Sequence, residues 1–590
     1  MCGIIGYLGK DASKNVIEGL EKLEYRGYDS AGIAIKTNND ITIFKDKGRV
    51  NHLKELININ SKSDLAIGHT RWATHGEANQ INAHPHTSYS GRYIIVHNGV
   101  IENYKSIKYS YLKDIDFISK TDTEVIANLI DYFSKSYNTI DSIRKAMTLM
   151  EGSYAVLLID KLDLNKIYFF KNKSPLVISK VNNEFILASD ILAMIDHTNS
   201  YYSVSDSSLG YVSNDEIYMI DLLGNKLEFS LSYFDVSSES VDKGLYEHYM
   251  LKEISESPEV IRRILSLYYD SDGINIDYNI IKLLQNADHI NIVASGTSMY
   301  ASMMTKYFFE KYCSIPSEVF CASELVYSSP IVTKNPVYLF LSQSGETADS
   351  ITVLKKIKGI YPVISMTNSV TSSIARLSDY TLNLCAGREI AVASTKTYTA
   401  EIALSAILAF AVRSKADELK EELLKTADIM DKMLINKDLY IQLANRIYNA
   451  NSLFYMGRGI DYWVCMEAAL KLKEVSYIHA EAYPSGELKH GPIALVDENT
   501  PIISIITQEG TNPIVRVNIK EVRARNANTY VISMETLSKN TDDIVIPNVI
   551  HYLTPLVTGM VVQLIAYYTA KLKNTDIDKP KNLAKCVTVE

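Results

Sequence analysis

The sequence of 590 residues has few cysteines and shows no mark of export. Its six cysteines are scattered without CxxC spacing, and its start is not a basic segment followed by an apolar one. A secreted, disulfide-built protein is therefore not expected, and we predict a cytoplasmic one. The net charge of -9, with no basic tract, argues against a nucleic-acid-binding protein that neutralises phosphates.

Long apolar runs and nucleotide-binding motifs are also missing. The stretch 553–570 comes nearest to a membrane span, but it is short and carries Pro555, Gly559 and Gln563, so we interpret it as a buried helix. Neither GxGxxG nor GxxxxGK[ST] occurs, and no cofactor is expected. With 47% hydrophobic and 22% charged residues, the chain is predicted to form several globular domains without a membrane partner.

The first part of the chain alternates short β-rich runs with a few helical stretches, which predicts an α+β domain with antiparallel sheets. The β-rich runs lie at 33–37, 41–45, 93–99, 154–160, 166–170 and 184–189. Near residue 240 the sequence becomes serine-rich and then charged, as domain boundaries often are. We therefore place the first domain at 1–240 and a linker at 241–255.

The remainder has the rhythm of βαβ units, and this rhythm occurs twice. The matching runs are 290–298 with 452–460, 337–347 with 502–511, and 361–369 with 529–538. Taken from matching glycines and valines, the offsets are 457 − 296 = 161, 510 − 345 = 165 and 531 − 363 = 168. We predict two doubly wound α/β domains with parallel sheets, at 256–430 and 431–575, and a tail at 576–590.

Cys2 is the first candidate for chemistry. Methionine aminopeptidases act when the second residue is small, so removal of Met1 would leave the Cys2 thiol beside a free α-amine. That amine, with a pKa of about 7.7–8.0, can act as the base for a thiol that attacks an amide carbonyl. A small second residue is also compatible with no chemical role at all.

Three other polar segments of the first domain suit the same chemistry. Arg71 in GHTRWATHG (68–76) could grip an amino acid carboxylate, and Trp72 could cover the site. The Asn98 amide and the Gly99 N–H could form an oxyanion hole. Asp122 stands at a predicted helix start, where a carboxylate is more often only a cap.

These segments together resemble one family. MCGIIGYLG, LEYRGYDSAG, GHTRWATHG, NAHPH, HNGVIEN and TDTEVIA are similar to the glutaminase domain of N-terminal-nucleophile amidotransferases, over essentially the first 240 residues. The resemblance implies an αββα fold, Cys2 as nucleophile, and Asn98 and Gly99 as the oxyanion hole. It assigns glutamine binding to Arg71, Trp72, Thr74, His75 and Asp122. The loop GEANQIN (76–82) departs from the usual glycine-proline turn. His84 and His86 lack a third ligand, so no metal is expected.

Two hydroxyl-rich turns follow apolar runs in the third quarter of the chain. SGTS (295–298) and SQSGET (342–347) each stand before a helical stretch, where backbone N–H groups favour a phosphate. Helix capping alone would explain either turn. Two such turns at the carboxyl ends of parallel strands, however, match the crevice where doubly wound sheets bind ligands.

The segment 467–492 is a second dense cluster. Lys471 and Glu474 are three residues apart and share a helix face, although such a pair is most often a surface ion pair. His490 lies in a glycine-flanked loop and could transfer protons. Lys585 stands in a terminal tail, and a lysine desolvated by a folded tail could form an imine with a sugar ketone.

The later motifs resemble the paired SIS (sugar isomerase) domains of the glucosamine-6-phosphate synthase family, and with the glutaminase domain the likeness covers the full chain. It implies that glutamine and fructose 6-phosphate give glucosamine 6-phosphate and glutamate. It makes Glu474 the proton-transfer base, Lys471 its neighbour, His490 the ring-opening residue and Lys585 the ketone-binding amine. The implied sugar-phosphate ligands are Thr297, Ser298, Ser342, Gln343, Ser344, Thr347, Val392 and Ser394. Ser295 replaces a cysteine of relatives.

The chemistry also predicts how the two reactions are joined. Free ammonia in neutral water becomes ammonium, a poor nucleophile, so we expect an enclosed passage, with Trp72 and the segment 582–590 as its boundaries. A homodimer is expected, in which His490 could act on a neighbouring subunit. The alternatives are a phosphoribosylamine-forming amidotransferase, which lacks its pyrophosphate motif here, a non-catalytic SIS sensor, and a pyridoxal-phosphate aminotransferase of different fold.

Overall fold

The computed structural model describes residues 2–57, 62–73, 75–213, 216–233, 243–270, 273–328 and 333–587. The chain divides into two compact units, residues 1–242 with 586–589, and residues 243–585 with 590.

Antiparallel strands dominate the first unit. The strands are β1 (Gly3–Leu8), β2 (Ser30–Thr37), β3 (Asp40–Lys47), β4 (Leu65–Arg71), β5 (His86–Thr87), β6 (Tyr93–Ile101), β7 (Gly152–Asp160), β8 (Asp163–Asn172), β9 (Val177–Val181), β10 (Glu184–Ala188), β11 (Ser200–Ser203), β12 (Ser208–Ser213), β13 (Ile217–Asp221) and β14 (Leu231–Tyr233). The helices are α1 (Ala12–Leu23), α2 (Val50–Leu56), α3 (Tyr104–Tyr111), α4 (Thr123–Ser134) and α5 (Thr139–Met147).

These elements form four layers, helix, sheet, sheet and helix. One sheet has the order β14-β11-β9-β10-β1-β4-β2-β3, and the other has the order β13-β12-β8-β7-β6-β5. Along β6, Ile94 and Val96 face the core between the sheets, whereas Tyr93 and Ile95 face the core beneath α4 and α5. This alternation follows from the period of two in a strand, because both faces of β6 are buried.

Parallel strands and long helices build the second unit. The strands are β15 (Tyr269–Asp270), β16 (Gly273–Ile274), β17 (His289–Ala294), β18 (Ser317–Cys321), β19 (Pro336–Ser342), β20 (Val363–Thr367), β21 (Tyr380–Asn383), β22 (Ser452–Gly457), β23 (His479–Pro484), β24 (Pro501–Ile506), β25 (Asn528–Met534) and β26 (Ile544–Ile546). The helices are α6 (Tyr249–Ser255), α7 (Ser257–Tyr268), α8 (Tyr278–Gln285), α9 (Gly296–Phe308), α10 (Ala322–Leu325), α11 (Ala348–Ile357), α12 (Ser373–Leu377), α13 (Lys396–Val412), α14 (Ala416–Ile435), α15 (Lys437–Ile447), α16 (Ile460–Ser476), α17 (Asn512–Arg523) and α18 (Thr554–Leu572).

Two five-stranded parallel sheets organise this unit, with the orders β18-β17-β19-β20-β21 and β23-β22-β24-β25-β26. In each sheet the second strand lies on one side of the first strand, and the later strands lie on its other side. The direction in which strands are added therefore switches between β17 and β19 and between β22 and β24. Doubly wound sheets of this order bind ligands at that switch point. One continuous core joins both sheets through α13, α16 and α18.

The structure confirms the internal repeat and corrects one of its matches. Gly296 is the first residue of α9 and Gly459 immediately precedes α16, the helices after the first strand of each sheet, with φ of 58° and 57°. Because this left-handed conformation favours glycine, Gly459 is the counterpart of Gly296. The match to Gly457 was therefore wrong by two residues, and the offset is 459 − 296 = 163.

Two predicted boundaries fall inside regular structure. Residues 249–255 of the predicted linker form α6, because Met250 and Ile254 lie four apart and bury in the core of the second unit. The predicted division between 430 and 431 lies within α14. Residues 234–242, at the end of the first predicted domain and the start of the linker, lie outside the described residues.

The apolar stretch near residue 560 forms α18, buried over Thr554–Ala570. Its polar side chain Gln563 is fully buried and donates from Nε2 to the Thr395 carbonyl at 3.2 Å. This helix is thus a core helix, as the sequence predicts. Among the helices in the described parts of the chain, none combines the length and apolar character needed to cross a membrane.

Packing between the two sheets of the first unit yields a stability prediction. Leu157 is fully buried, and its Cδ1 would lie 3.0 Å from a Cβ built on Gly6 of the facing strand. Leu157→Ala should lower the unfolding free energy of this unit by about 2–5 kcal/mol, because it leaves a cavity. The chain has two tryptophans, so Trp463→Phe leaves Trp72 to report urea unfolding of the first unit. Leu162→Ala, at a 76% exposed position, is the control and should stay within about 0.5 kcal/mol.

Candidate active sites

Cys2 lies at the start of β1, where pairing with β4 fixes the backbone. Gly3 pairs with Thr70 in this antiparallel ladder. The Cys2 Sγ accepts the Trp72 N–H at 3.3 Å and lies 3.5 Å from the Trp72 carbonyl oxygen. Burial raises the pKa of the Cys2 thiol, and the nearby Arg71 cation opposes that effect. Ionisation of this thiol therefore needs a base close by.

The predicted oxyanion-hole residues stand beside Cys2 on β6. Asn98 Nδ2 donates to the Cys2 carbonyl oxygen at 2.8 Å. Gly99 has φ of 127°, and a Cβ there would lie 1.9 Å from the Ser153 carbonyl oxygen, so only glycine fits. The predicted pair thus lies next to the predicted nucleophile.

Arg71 is buried at the end of β4, where its guanidinium holds the following loop. Nη1 donates to the Glu77 carbonyl at 3.2 Å, and Nη2 donates to the carbonyls of His75 and Gly76. The departure GEANQIN lies in this loop, and Asn82 at its end donates from Nδ2 to the same Glu77 carbonyl at 3.0 Å. In this structure Arg71 therefore organises backbone groups, and its grip on a substrate carboxylate remains a prediction.

The other predicted glutamine ligands surround the same point. Asp122, buried at the start of α4, accepts the Ile101 N–H at 2.8 Å, and its charge acts on the pKa values of both Cys2 and Arg71. His75 packs edge-on against the Tyr104 ring, with 5.5 Å between ring centroids. Thr74 lies outside the described residues.

Behind the predicted oxyanion hole lies a group of four buried histidines, His69, His84, His86 and His97. His69 stacks on His84 with ring centroids 3.9 Å apart, and its Nε2 donates to the His97 carbonyl at 2.9 Å. His84 Nδ1 accepts the His97 N–H at 3.2 Å. The backbone that carries Asn98 is thus held from both sides by imidazoles.

Burial makes these histidines neutral. It lowers the pKa of His69, His84 and His86 far below the ordinary value, with the Arg71 cation acting in the same direction, and it also lowers the pKa of His97. The ring nitrogens of His84 and His86 lie 3.3 Å and 3.2 Å from the hydroxyls of Thr123 and Thr121. Within the described residues, no three His, Cys, Asp or Glu side chains are grouped as metal ligands would be.

In the second unit the two predicted phosphate turns lie side by side. β17 pairs in parallel with β19, so SGTS and SQSGET both follow the carboxyl ends of neighbouring strands at the switch point. Ser342 Oγ accepts the Gly345 N–H at 3.1 Å and lies 3.2 Å from Thr347 Oγ1, at the N-cap of α11. Ser344 Oγ accepts the Glu346 N–H at 3.1 Å, so each serine shapes the turn.

The first turn opens α9 and faces buried carboxyls. Ser298 Oγ donates to Glu401 Oε1 at 2.6 Å. Thr297 Oγ1 is buried and has no hydrogen-bond partner among the described residues. Burial raises the pKa of Glu401 to about 8, so this carboxyl is neutral near pH 7. Gln343 contributes its backbone carbonyl to this turn, and that carbonyl accepts the Asn368 N–H at 3.2 Å.

The predicted catalytic pair on α16 is buried, unlike an ordinary surface ion pair. Lys471 Nζ lies 2.5 Å from Glu474 Oε2 and 3.8 Å from Glu467 Oε1. The Lys471 and Glu467 side chains are 0% exposed, whereas Glu474 keeps 19%, which leaves it reachable. Burial lowers the pKa of Lys471, but the two carboxylates outweigh burial and raise it. Burial raises the pKa of Glu467 to about 8.

Lys585 is anchored in the second unit, contrary to the fraying usual for a tail. Its Nζ donates to Glu389 Oε2 at 2.6 Å and to the Ala391 carbonyl at 2.8 Å, and its side chain is 5% exposed. The Val392 N–H donates to the Asp578 carbonyl at 2.9 Å, which holds the segment before Lys585. Ser394 Oγ donates to the same Glu389 oxygen at 3.0 Å.

Electrostatic interactions join these groups into one site. The Glu389 charge acts on the pKa values of both Glu401 and Lys471. Tyr300 on α9 is influenced by Glu467, and by the Lys471 and Glu474 charges as well. The phosphate turns, the α16 pair and Lys585 thus surround one region. His490 does not join it, because it is exposed at the end of the 3₁₀ helix Glu487–His490, and no hydrogen bond links it to the other candidates in the described chain.

The corresponding turns of the second parallel sheet carry acidic side chains. Ser298 corresponds to Asp461 through the corrected match, while Ser342 corresponds to Thr507 and Ser344 to Glu509 by the 165-residue offset. The Asp461 carboxylate is buried and accepts the Thr507 N–H at 2.8 Å, together with the Thr507 hydroxyl. Burial raises the pKa of Asp461 to about 7, so this turn holds an acidic side chain where the first sheet has the Ser298 hydroxyl.

Three buried glutamates of the second site were missed from the sequence, Glu389, Glu401 and Glu467. Glu467 lies four residues before Lys471, and this spacing places both on one helix face. Glu467 could therefore have been predicted from the sequence. Glu389 lies three residues before Val392, but spacing alone gives no sign that it holds Lys585. Glu401 lies on α13, and only the fold brings it to Ser298.

Family comparisons agree with this geometry. The family model described as "Glutamine amidotransferase domain" matches residues 55–221, and the one described as "SIS domain" matches residues 283–413 and 446–572. The two sites thus define a glutamine amidotransferase joined to a pair of SIS domains, which confirms the predicted fold class.

Curated relatives narrow this class. Proteins named glutamine–fructose-6-phosphate aminotransferase (isomerizing) from Listeria monocytogenes and Geobacillus kaustophilus are 46% and 47% identical, with 100% of each chain covered. A solved structure titled as the C-terminal domain of glucosamine-fructose-6-phosphate aminotransferase from Francisella tularensis covers 57% of this chain and 100% of its own. It is 35% identical, with a TM-score of 0.55. The chain belongs to the family of isomerising glutamine–fructose-6-phosphate aminotransferases.

The neutral histidines make the first unit sensitive to acid. Below pH about 6.5, histidines in the unfolded chain bind protons, whereas the buried histidines of the folded unit stay neutral. The free energy of unfolding is therefore fully present above that pH and decreases as pH falls. Each histidine should contribute up to about 1.4 kcal/mol of destabilisation per pH unit. Trp72 fluorescence during urea unfolding of Trp463→Phe, between pH 7.5 and 5.5, should show a falling midpoint. His52→Gln, at an exposed position, should leave the slope unchanged, and a flat midpoint would contradict the prediction.

Proposed function

We propose that the chain converts glutamine and fructose 6-phosphate into glutamate and glucosamine 6-phosphate, the activity that its family name describes. The observation that carries the proposal is the presence of two separate sites in one chain. One holds a half-buried thiol beside an amide donor, and the other holds a buried lysine side chain paired with Glu389, in the unit that carries the hydroxyl-rich turns.

In the glutaminase half, Cys2 attacks the glutamine carboxamide. Asn98 Nδ2 and the Gly99 N–H stabilise the developing oxyanion, and the Asn98 amide already lies 2.8 Å from the Cys2 carbonyl oxygen. The α-amine of processed Cys2 removes the thiol proton. Ammonia departs and a thioester remains on Cys2, which water hydrolyses to glutamate. Arg71, Trp72, Thr74, His75 and Asp122 are proposed to position the glutamine.

In the sugar half, the proposed phosphate ligands are the two turns, with Val392 and Ser394 beside them. Lys585 binds the ketone of the open-chain sugar as an imine. Glu474 moves the proton between the first two carbons during isomerisation, and Lys471 holds the Glu474 carboxylate at 2.5 Å. His490 is proposed to open the sugar ring, and its exposed position suits action on the site of a second subunit in a homodimer.

Ammonia transfer between the reactions has to exclude water. Ammonia released into neutral solution would become ammonium, which has no free electron pair for attack on a carbonyl. We therefore propose direct transfer, with glutamine hydrolysis fast only when the sugar site is occupied. A cytoplasmic location is also proposed, since the six cysteines, all within the described residues, form no disulfide.

Replacement of the nucleophile separates the two half-reactions. Cys2→Ala should abolish glucosamine 6-phosphate formation from glutamine, because it removes the proposed nucleophile, while fructose 6-phosphate isomerisation persists. Mass spectrometry of the products measures both, and intact mass establishes that Met1 has been removed. Cys313→Ala, in the second unit, is the matched control. Persistent glutamine-dependent product in Cys2→Ala would refute the nucleophile assignment.

Replacement of the tail lysine should have the reverse effect. Lys585→Arg keeps a cation beside Glu389, but a guanidinium stays protonated and forms no imine. Sugar turnover should fall below detection, while glutamine hydrolysis by this variant stays measurable as glutamate release. Lys581→Arg, an exposed change in the same tail, should retain both activities. Normal sugar turnover in Lys585→Arg would exclude the imine.

A further inference from the structure

The nitrogen proposed to react at the sugar site is paired with a buried carboxylate. Lys585 Nζ donates to Glu389 Oε2 at 2.6 Å and to the Ala391 carbonyl at 2.8 Å. The Lys585 and Glu389 side chains are 5% and 0% exposed, so water has little access to the pair. An ammonium has no electron pair for attack, and a proton must leave Nζ before an imine can form. The only anionic oxygen shown in contact with Nζ belongs to Glu389.

Glu389 is fixed independently of the lysine. Its Oε1 accepts the Thr395 N–H at 2.8 Å and the Thr397 N–H at 3.1 Å, around the start of α13. Its Oε2, which faces Nζ, also accepts the Ser394 hydroxyl at 3.0 Å. The oxygen that contacts the lysine is therefore held in place before and after any change at Nζ.

The surroundings keep Glu389 ionised while Lys585 is a cation, and they change when that charge is lost. Burial raises the pKa of Glu389, but the Lys585 cation and the backbone N–H groups outweigh burial and lower it to about 2. Once Nζ becomes neutral, the cation no longer acts, and burial makes the carboxylate a better base. The other groups that act on this region are Glu253, Lys396, Glu401 and Lys471. Burial raises the pKa of Glu253 to about 8, so it adds no charge near pH 7.

We propose that Glu389 is a further catalytic residue, which accepts at Oε2 the protons that Lys585 Nζ releases and passes them to the ketone oxygen of the sugar. This inference rests on the proposed imine role of Lys585. The role proposed for Glu389, in the loop before α13, is separate from the proton transfer between carbons that is proposed for Glu474.

The step balances without any added reagent. Nζ gives one proton to Oε2, its electron pair forms the bond to the ketone carbon, and the carbonyl electron pair moves to oxygen. Oε2 returns that proton to the oxygen and then carries a second proton from nitrogen to the same oxygen. The carbon–oxygen bond breaks and water leaves. The third proton stays on nitrogen, so ammonium and ketone become a cationic imine and water, and the carboxylate again faces a cation.

A purely structural role for Glu389, as an anchor for the tail, makes a different prediction. Glu389→Gln keeps the size and an oxygen acceptor for the N–H groups, but it cannot take a proton. Glu389→Asp keeps the acidic group on a shorter side chain. An anchor that only needs an acceptor would tolerate glutamine, whereas a proton acceptor needs the carboxylate.

The test follows imine formation on the full-length protein. Fructose 6-phosphate is added with cyanoborohydride, and peptide mass spectrometry measures the rate at which Lys585 gains the reduced sugar. Glu389→Gln should slow trapping about 100-fold or more at pH 7, the usual size of a general-base effect. Glu389→Asp should trap faster than Glu389→Gln, because it keeps a carboxylate that can carry the protons.

Controls separate this inference from the function on which it rests. Glu256→Gln, which removes the partner of Lys396 at 2.5 Å, should trap as the wild type does. Trapping by Glu389→Gln at the wild-type rate would overturn the inference and leave the imine intact. Trapping by Glu389→Asp that is as slow as by Glu389→Gln would also overturn it, since this indicates a lost anchor. Absence of sugar on Lys585 in the wild type would instead refute the proposed imine.

Discussion

The second unit depends on the pairing of charges that have been removed from water. Lys471 is fully buried between Glu467 and Glu474, and Lys585 is buried on Glu389. An isolated charge in such positions would cost several kcal/mol, so each cation is tolerable only with its carboxylate. The pairing therefore determines both the conformation and the chemistry. It orients Glu474, which stays partly exposed, and it holds the tail segment that would otherwise fray.

The first unit shows a different arrangement, because the four buried histidines behind the predicted oxyanion hole are neutral. Imidazoles from β4 and from the segment before β6 hold the His97 backbone, and Asn98 follows directly. Neutral donors and acceptors in a dry environment give fixed hydrogen bonds without a desolvated charge. This rigidity suits an oxyanion hole, whose donors have to be in place before charge develops on the substrate.

Much of this architecture could be predicted from the sequence, and the limits have physical causes. Period-two runs gave the strands of the first unit, and the repeated strand-to-helix rhythm gave two parallel sheets. The match of Gly296 to Gly457 was wrong because identical residues in a sequence can differ in the backbone angle φ, which only the structure shows. α6 was assigned to a linker because its two core residues are a weak signal beside polar neighbours. Glu389 and Glu401 could not be found, because long-range folding brings them to Lys585 and Ser298.

The acidic side chain in the turns of the second sheet distinguishes the two repeated halves. The first half carries the hydroxyl-rich turns, while α16, which begins the second half's first crossover, presents Lys471 and Glu474 toward α9. The groups proposed for the sugar reaction are thus divided between the two halves. The repeat therefore acts as one asymmetric pair, in which each half supplies what the other lacks.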